Sequence, residues 1–445
     1  MTFTRPANLI RWALPIMLGL VACDVLLSGR DLSQIYAELA GMAEGGRHPA
    51  MAWVQRGVSL VLVLICGDRI LTHFTEGGHA PSPVLLGSYI AYWIGTVAIP
   101  SVLGAHPQVS HEYAYALVIG VAAALVTTQD ISAIIDRARD ALFMLMMVSV
   151  ILVVVEPSMA LDASYRQGLL PGVPRLGGVA PHPVAMGMFA QTGLILLWAR
   201  PYERRWLTVL AWVVGLGCLF FAQSKTAWIA FMLCALAMFL VRSGSRVWQR
   251  ASDPREGAFG IMLCLGVMFA GAAALGVLLL GDVGSQVSSF LDTSEGAQLM
   301  SMTGRDQIWA IAMEEWQAHK VFGYGPGLWD DDFRLSINMP NATNAHNQFM
   351  DTLARTGTVG AIALVIYAGV LLTLSFKYAR RSGGLSVALF IALALRSVSE
   401  VPLLLFGYGT ELFVHLLLVV VLAAAASVRA PAQQHRARPV YGMPA

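Results

Sequence analysis

Four residues have a type and a setting suited to chemistry: His346, Arg305, Lys225 and Arg175. His346 sits in Asn344-Ala345-His346-Asn347-Gln348. It is either a polar residue at a helix start facing water or a general base, since neutral imidazole takes a proton from a hydroxyl near pH 7. Arg305 falls in the first turn of an expected helix, where its charge opposes the helix dipole. A guanidinium beside free backbone N–H groups makes an anion site, above all for phosphate; the alternative is a solvated surface arginine. Lys225 is one of three lysines in the chain and interrupts Phe220-Phe221-Ala222-Gln223-Ser224-Lys225-Thr226-Ala227-Trp228 between two apolar runs. A charge at that depth is costly and marks function by default, although a lysine snorkelling from a tight hairpin fits equally well. Arg175 opens Arg175-Leu176-Gly177-Gly178-Val179-Ala180-Pro181-His182-Pro183, where Gly and Pro break the helical pattern. Non-helical backbone near a membrane lines a cavity or substrate path, or else is an exposed connection. Asn347, His182 and Ser224 adjoin these residues as candidates for a supporting role.

Other polar features read more simply. Asp330, Asp331 and Asp332 point in different directions and suit a solvated turn better than a cation site. Asp24, Glu400 and Glu411 lie in or beside apolar spans and are expected to pair with arginines such as Arg396. Cys23, Cys66, Cys218, Cys234 and Cys264 all fall in apolar runs without metal-ligand spacing, so core packing is expected of each. Asn341-Ala342-Thr343 matches a glycosylation sequon, a weak signal by itself. P-loop, dinucleotide-binding and HExxH patterns do not occur.

The elements that must position these residues are membrane helices. The 445 residues are 57% hydrophobic and only 13% charged, with a mean hydropathy of +0.64. So few charges cannot build the surface of an ordinary soluble enzyme. A net charge of +2 gives no basis for nucleic-acid binding. Arg5 and Arg11 precede an apolar stretch from Trp12 to Leu27 with no small-residue cleavage site, which reads as a first spanning helix rather than a signal peptide. A template of about 20 apolar residues finds twelve segments, near 9–28, 51–71, 83–103, 112–128, 140–155, 183–199, 206–223, 226–241, 258–281, 357–376, 384–400 and 408–428. Lipid leaves no backbone group unpaired, so an all-α bundle is expected, and the short alternating strands of a barrel are missing.

Basic residues set the orientation. Arg137, Arg139, Arg200, Arg204, Arg205, Arg242, Arg246, Lys377, Arg380 and Arg381 fall on one side, against Arg30, Arg47, Arg166 and Arg175 on the other. Both termini are then cytoplasmic and the large hydrophilic loop is extracytoplasmic. The expected organisation is a bundle of nine helices over 1–281, a structured loop over 282–356, three more spans over 357–428 and a cytoplasmic tail over 429–445. Within the loop, Thr303-Gly304-Arg305-Asp306 has capping-box spacing. Trp309, Met313 and Trp316 repeat at helical spacing, with Lys320 in the last turn. Gly323, Gly325, Pro326 and Gly327 form a break. A second helix is expected from Asn344 to Gly357, with His346 in its first turn.

Taken in order, several stretches resemble the O-antigen ligase and Wzy-type polymerase superfamily. They are Thr303-Gly304-Arg305-Asp306-Gln307-Ile308-Trp309, Gly323-Tyr324-Gly325, and Ala345-His346-Asn347-Gln348 followed by Gly357 and Gly360. Gln223-Ser224-Lys225-Thr226-Ala227 is similar to the family's Ser-(Arg/Lys)-Thr stretch, and Arg175-Leu176-Gly177-Gly178 with His182-Pro183 to a stretch of exopolysaccharide-type members. Val184 departs from an Asn common after His-Pro, and Lys225 from an arginine, exchanging a bidentate fork for a point charge.

The resemblance implies an inverting glycosyltransferase of the C-type membrane architecture, in the bacterial inner membrane. It would move a glycan from a polyprenyl (undecaprenyl) diphosphate carrier to an acceptor at the periplasmic face, using no cofactor, nucleotide sugar or metal. Arg305 and Lys225, with Arg175, would hold the diphosphate, and His346 would activate the acceptor hydroxyl. The partners implied are the lipid-linked donor, a glycan or lipid A-core acceptor, and membrane lipids. The expected activity is glycan polymerisation, with ligation onto lipid A-core as the alternative. A transporter or flippase is a more distant one, since no internal repeat is evident.

Overall fold

The computed structural model of the chain describes residues 9–32, 49–163, 172–252, 305–340 and 342–428. Apolar helices dominate it. A short 3-10 turn, Leu9–Trp12, leads into α1 (Ala13–Ser28), followed by α2 (Pro49–Thr75), α3 (Pro83–Trp93), a π turn (Ile94–Ala98) and α4 (Ile99–Leu103). Next come α5 (Tyr113–Ala124), α6 (Thr128–Val155) and the single turn α7 (Pro157–Ala160). A two-residue ribbon, β1 (Leu161–Asp162) with β2 (Arg175–Leu176), precedes α8 (Pro183–Ala199), α9 (Arg205–Phe221) and α10 (Lys225–Ser252). The described part of the large loop holds α11 (Arg305–Ala318) and α12 (Asp331–Ser336), and the chain continues through α13 (Gln348–Lys377), α14 (Leu385–Ser399) and α15 (Leu412–Ser427).

Eleven of the twelve apolar segments read from the sequence coincide with helices, and the twelfth, 258–281, lies outside the described residues. Six helical stretches are long and apolar enough to cross a membrane: Leu9–Ser28, Pro49–Thr75, Pro83–Leu103, Thr128–Val155, Lys225–Val247 and Gln348–Lys377. Their outward faces carry large apolar side chains such as Val154, Leu64 and Phe376, exposed by 81%, 62% and 62%. Such faces suit lipid rather than water. Helices α8 and α15 are buried nearly all round, which makes them the centre of the bundle. Helix α15 packs on α14, α6 and α5, while α10 packs on α14 and α8.

The turn from α3 into α4 widens to π geometry just before Pro100, whose missing N–H interrupts the helical ladder. Gly95 in that turn lies so close to α13 that a Cβ there would fall 2.7 Å from the Cβ of Ala363.

Three sequence expectations need correction. Cys23 is exposed rather than packed in the core, because α1 turns that face outward. Helix α11 ends at Ala318, so Lys320 lies beyond its last turn. The helix expected over 344–357 begins instead at Gln348 with Asn347 as its N-cap, accepting from the Met350 N–H at 3.1 Å. Its expected end at Gly357 holds: Gly357 adopts φ 67° and ψ −167°, which breaks that helix from the span that follows to Lys377. The start shifts because the Asn344 side chain is already used, accepting from the His346 N–H at 2.7 Å. The capping box proposed at Thr303, the span near 258–281, the sequon Asn341, Cys264 and the tail 429–445 lie outside the described residues.

The described loop has a small core of its own, including Ile308, Ala312, Leu328, Trp329, Phe333 and Ala345. Asp330 caps α12, accepting from the Phe333 N–H at 2.8 Å, and Asp331 pairs with Arg334, in keeping with a turn rather than a cation site. The loop is stitched to the bundle by backbone. Tyr324 and Gly325 donate to the carbonyls of Ala354 and Arg355 at 3.0 and 2.9 Å, and Thr358 donates to that of Lys320 at 2.9 Å. Inside α13, Arg355 pairs with Asp351 at 3.2 Å, both buried, and donates to the Pro326 carbonyl at 2.6 Å. Asp351 in turn accepts from the Ala345 N–H at 3.1 Å.

Candidate active site

His346 is held from three directions. The Trp309 indole, one turn along α11 from Arg305, donates to the Ala345 carbonyl at 2.9 Å. Asp351 of α13 holds the Ala345 N–H. Asn347 donates through Nδ2 to the Val398 carbonyl at the end of α14, at 3.3 Å. Between these anchors His346 adopts φ 47°, a left-handed conformation uncommon for a residue with a side chain. Such strain persists only where the surroundings over-determine it.

This conformation brings His346 Nδ1 to 3.3 Å from Oε2 of Glu400, which directly follows α14. The imidazole is partly exposed, its side chain 27% accessible, while the carboxylate is 12% accessible. Burial raises the Glu400 pKa, but the hydrogen bond from His346 and the charges of His346, Arg396 and His182 outweigh it, so the carboxyl sits below its ordinary 4.5. An ionised Glu400 accepts the Nδ1–H and leaves the Nε2 lone pair pointing away from it.

Behind this pair, Arg396 in the last turn of α14 forks onto Glu411 with two bonds of 2.6 Å, tying α14 to the start of α15. The sequence expectation that a carboxylate in or beside an apolar span pairs with Arg396 holds for Glu411, whereas Glu400 goes to His346. His182 caps α8, its Nδ1 accepting from the Ala185 N–H at 3.4 Å. Burial lowers its pKa below 6.5; Glu400 and Glu411 pull it up, and Arg396 and Arg175 push it down. The turn leading into this cap is gripped by Arg30, which donates to the carbonyls of Gly178 at 3.0 Å, Ala180 at 2.7 Å and Pro181.

Arg175 is 6% exposed and donates from Nε to the Ala222 carbonyl at 3.2 Å, across to the turn between α9 and α10. Gln223 in that turn, at φ 49°, donates back to the Val173 carbonyl at 2.9 Å. The two stretches singled out in the sequence therefore hold each other. Ser224 is buried and accepts from the Ala227 N–H at 3.4 Å, capping α10. A small cleft runs between Ser224 and Thr226 on one wall and Arg396 and Ser399 on another, with Val184 and Gln191 of α8 closing it. The N-termini of α8 and α10 and the C-terminus of α14 thus meet at one end of the bundle.

Lys225, between the two cleft residues, is exposed, and its ammonium has no partner among the described residues. Arg305 is half-buried as the first residue of α11, and its guanidinium likewise has no partner among the described residues. Arg305 makes no direct hydrogen bond to His346; the connection runs through Trp309 and Ala345.

The structure therefore gathers His346, Asn347, His182, Arg175, Ser224 and Lys225 at one end of the bundle, with Arg305 on the adjoining loop helix. Sequence reasoning missed the Glu400 partner, the Arg30 clamp and the Asp351–Arg355 lock. Of these, only the lock had a visible signal, its i,i+4 spacing of opposite charges. Glu400 and Arg30 reach their partners across long sequence separations. No curated protein matches the chain. The family model described as O-antigen ligase matches residues 210–365, a stretch that holds Ser224, Lys225, Arg305, His346 and Asn347. That match places residues 210–365 in the O-antigen ligase and Wzy-type superfamily, as the resemblance in the sequence implied.

Proposed function

We propose that this protein is an inverting membrane glycosyltransferase. It takes a glycan from a polyprenyl diphosphate carrier and passes it to an acceptor hydroxyl at the periplasmic face of a twelve-span bundle. The observation that carries the reading is the His346–Glu400 pair, set at the bundle end that also presents Lys225 and Arg305, cations without a partner among the described residues. His346 accepts the acceptor's hydroxyl proton on Nε2, with Nδ1–H held by Glu400. The freed oxygen forms a bond to the anomeric carbon from the face opposite the carrier. The bond from that carbon to the phosphate oxygen breaks, and its electron pair leaves with the polyprenyl diphosphate. Attack from the opposite face inverts the anomeric centre. Lys225 and Arg305 stabilise the charge growing on the diphosphate. Arg175 holds the turn that carries Lys225.

Glycan polymerisation is the favoured activity, supported by the likeness of Arg175-Leu176-Gly177-Gly178 and His182-Pro183 to exopolysaccharide-type stretches. Ligation onto lipid A-core is the second reading, favoured by the description of the matching family. Purified protein given lipid-linked repeat units alone, or repeat units with lipid A-core, separates the two. Elongation without core supports polymerisation, and product only with core supports ligation. If His346→Ala forms product at the wild-type rate in either assay, the enzymatic reading fails.

A further inference from the structure

A second polar cavity, of about 470 Å³, lies at the other end of the bundle from His346. Helix α8 gives the separation, since His182 caps one end and Arg200, which lines the cavity, follows the other. Its 17 residues span about 26 Å at about 1.5 Å each, close to the thickness of a bilayer's hydrocarbon core. The cavity is lined by Arg11, Arg137, Arg139, Arg200 and Arg204, against three acids. Two arginines are already neutralised. Arg200 meets Asp136 with bonds of 2.8 and 3.1 Å, and Arg139 meets Asp140 at 2.8 Å and Asp136 at 3.4 Å.

Arg11, Arg137 and Arg204 have no acidic partner among the described residues, with Glu203 the one remaining acid in the lining. Two of these cations share a neighbour, for the Arg11 and Arg137 guanidinia lie 5.9 and 4.9 Å from the centre of the Trp12 ring, and both line the cavity. The Arg11 Nε is moreover buried without a hydrogen-bond acceptor among the described residues. Like charges lining one cavity, with a buried donor unsatisfied, suit an anion held in that cavity. Leu207 and Ala133 add an apolar side to the lining, so the complementary ligand is amphiphilic.

We propose that this cavity binds the phosphate headgroup of an anionic membrane phospholipid, in the leaflet opposite the His346 site. The ligand's phosphate bridges the guanidinia, and its acyl chains lie along the outward faces of α1 and α6. The site is independent of the transfer reaction and needs no substrate for its test.

The test uses the full chain in neutral detergent, with melting followed by tryptophan fluorescence. Dioctanoyl phosphatidylglycerol, dioctanoyl phosphatidylcholine and inorganic phosphate are titrated separately. Phosphatidylglycerol is expected to raise the melting temperature in a saturable way, and the other two are not. Arg137→Gln and Arg204→Gln replace exposed side chains. Each is expected to raise the half-saturating phosphatidylglycerol concentration about fivefold, and the pair about twenty-five-fold. Equal shifts with phosphatidylcholine overturn the proposal, and so does a shift of the same size from inorganic phosphate, which means a free-anion site. A double variant that responds like wild type overturns it as well. If the double variant melts lower without lipid, its lipid-dependent increment still reads the site.

Discussion

Replacing Glu400 by Gln keeps the side chain's shape and removes its charge. In the wild type, Nδ1 of His346 donates to the carboxylate at 3.3 Å, and no other hydrogen bond fixes the imidazole among the described residues. The carboxylate does two things. It holds the tautomer with Nε2 free, and it stabilises the imidazolium formed as the acceptor is deprotonated. A hydrogen bond to a charged group is worth about 1.5–3 kcal/mol. At about 1.4 kcal/mol per decade, its loss slows the transfer step about 10- to 150-fold. The half-open position of the ring, 27% accessible, favours the lower part of that range. The expected result for Glu400→Gln is therefore a kcat lowered about 10- to 100-fold with little change in donor KM, since the proposed role of Glu400 is to act through His346 and not on the diphosphate. Initial rates of glycan transfer from a lipid-linked donor measure this, with Glu400→Asp tested for partial recovery. Because Glu400 is held below 4.5, its protonation lies beneath the neutral range, and the rate difference should persist from about pH 6 to pH 8. A Glu400→Gln enzyme with wild-type kcat throughout that range would refute the proposed role of the carboxylate.

Three further outcomes are expected. Lys225→Ala and Arg305→Ala each lower the transfer rate by about 10²–10³ while leaving the melting temperature nearly unchanged, since neither side chain has a partner among the described residues; a large thermal loss with normal rate would reverse that assignment. His182 is held neutral by burial, its pKa below 6.5. Its contribution to stability is complete above pH 6.5 and is lost as pH falls through the lower folded value, so melts at pH 7.5 and pH 5 should separate wild type from His182→Asn, with wild type losing more on acidification. Gly357→Ala places a Cβ 2.3 Å from the Val321 carbonyl oxygen at a φ of 67°, and the combined strain and clash should cost about 2–6 kcal/mol, read as a lowered melting temperature and faster proteolysis within 305–340.

The sequence determined what local physics can determine. Leu, Val, Ile and Ala runs of about helix-spanning length must become helices in lipid, and eleven of them did. The candidate residues could also be picked out, because a lysine between apolar runs and a histidine flanked by asparagines stand out by type alone. Positions set by competition between neighbouring caps were not. Asn344 could start a helix, but its side chain engages the His346 N–H, so the N-cap passes to Asn347 and His346 is left outside the helix in a left-handed turn. Tertiary structure alone decided the partners. Glu400 and Glu411 are equivalent to any sequence reading, two carboxylates near one arginine. The path of the chain from α14 to α15 turns Glu411 onto Arg396 and delivers Glu400 to a histidine 54 positions earlier. Arg30 and Arg175 likewise act on carbonyls that lie near them only after the helices have packed. Hydrophobic periodicity is a property of a segment, whereas an ion pair across a bundle is a property of its packing, and the candidate site is made of the second kind.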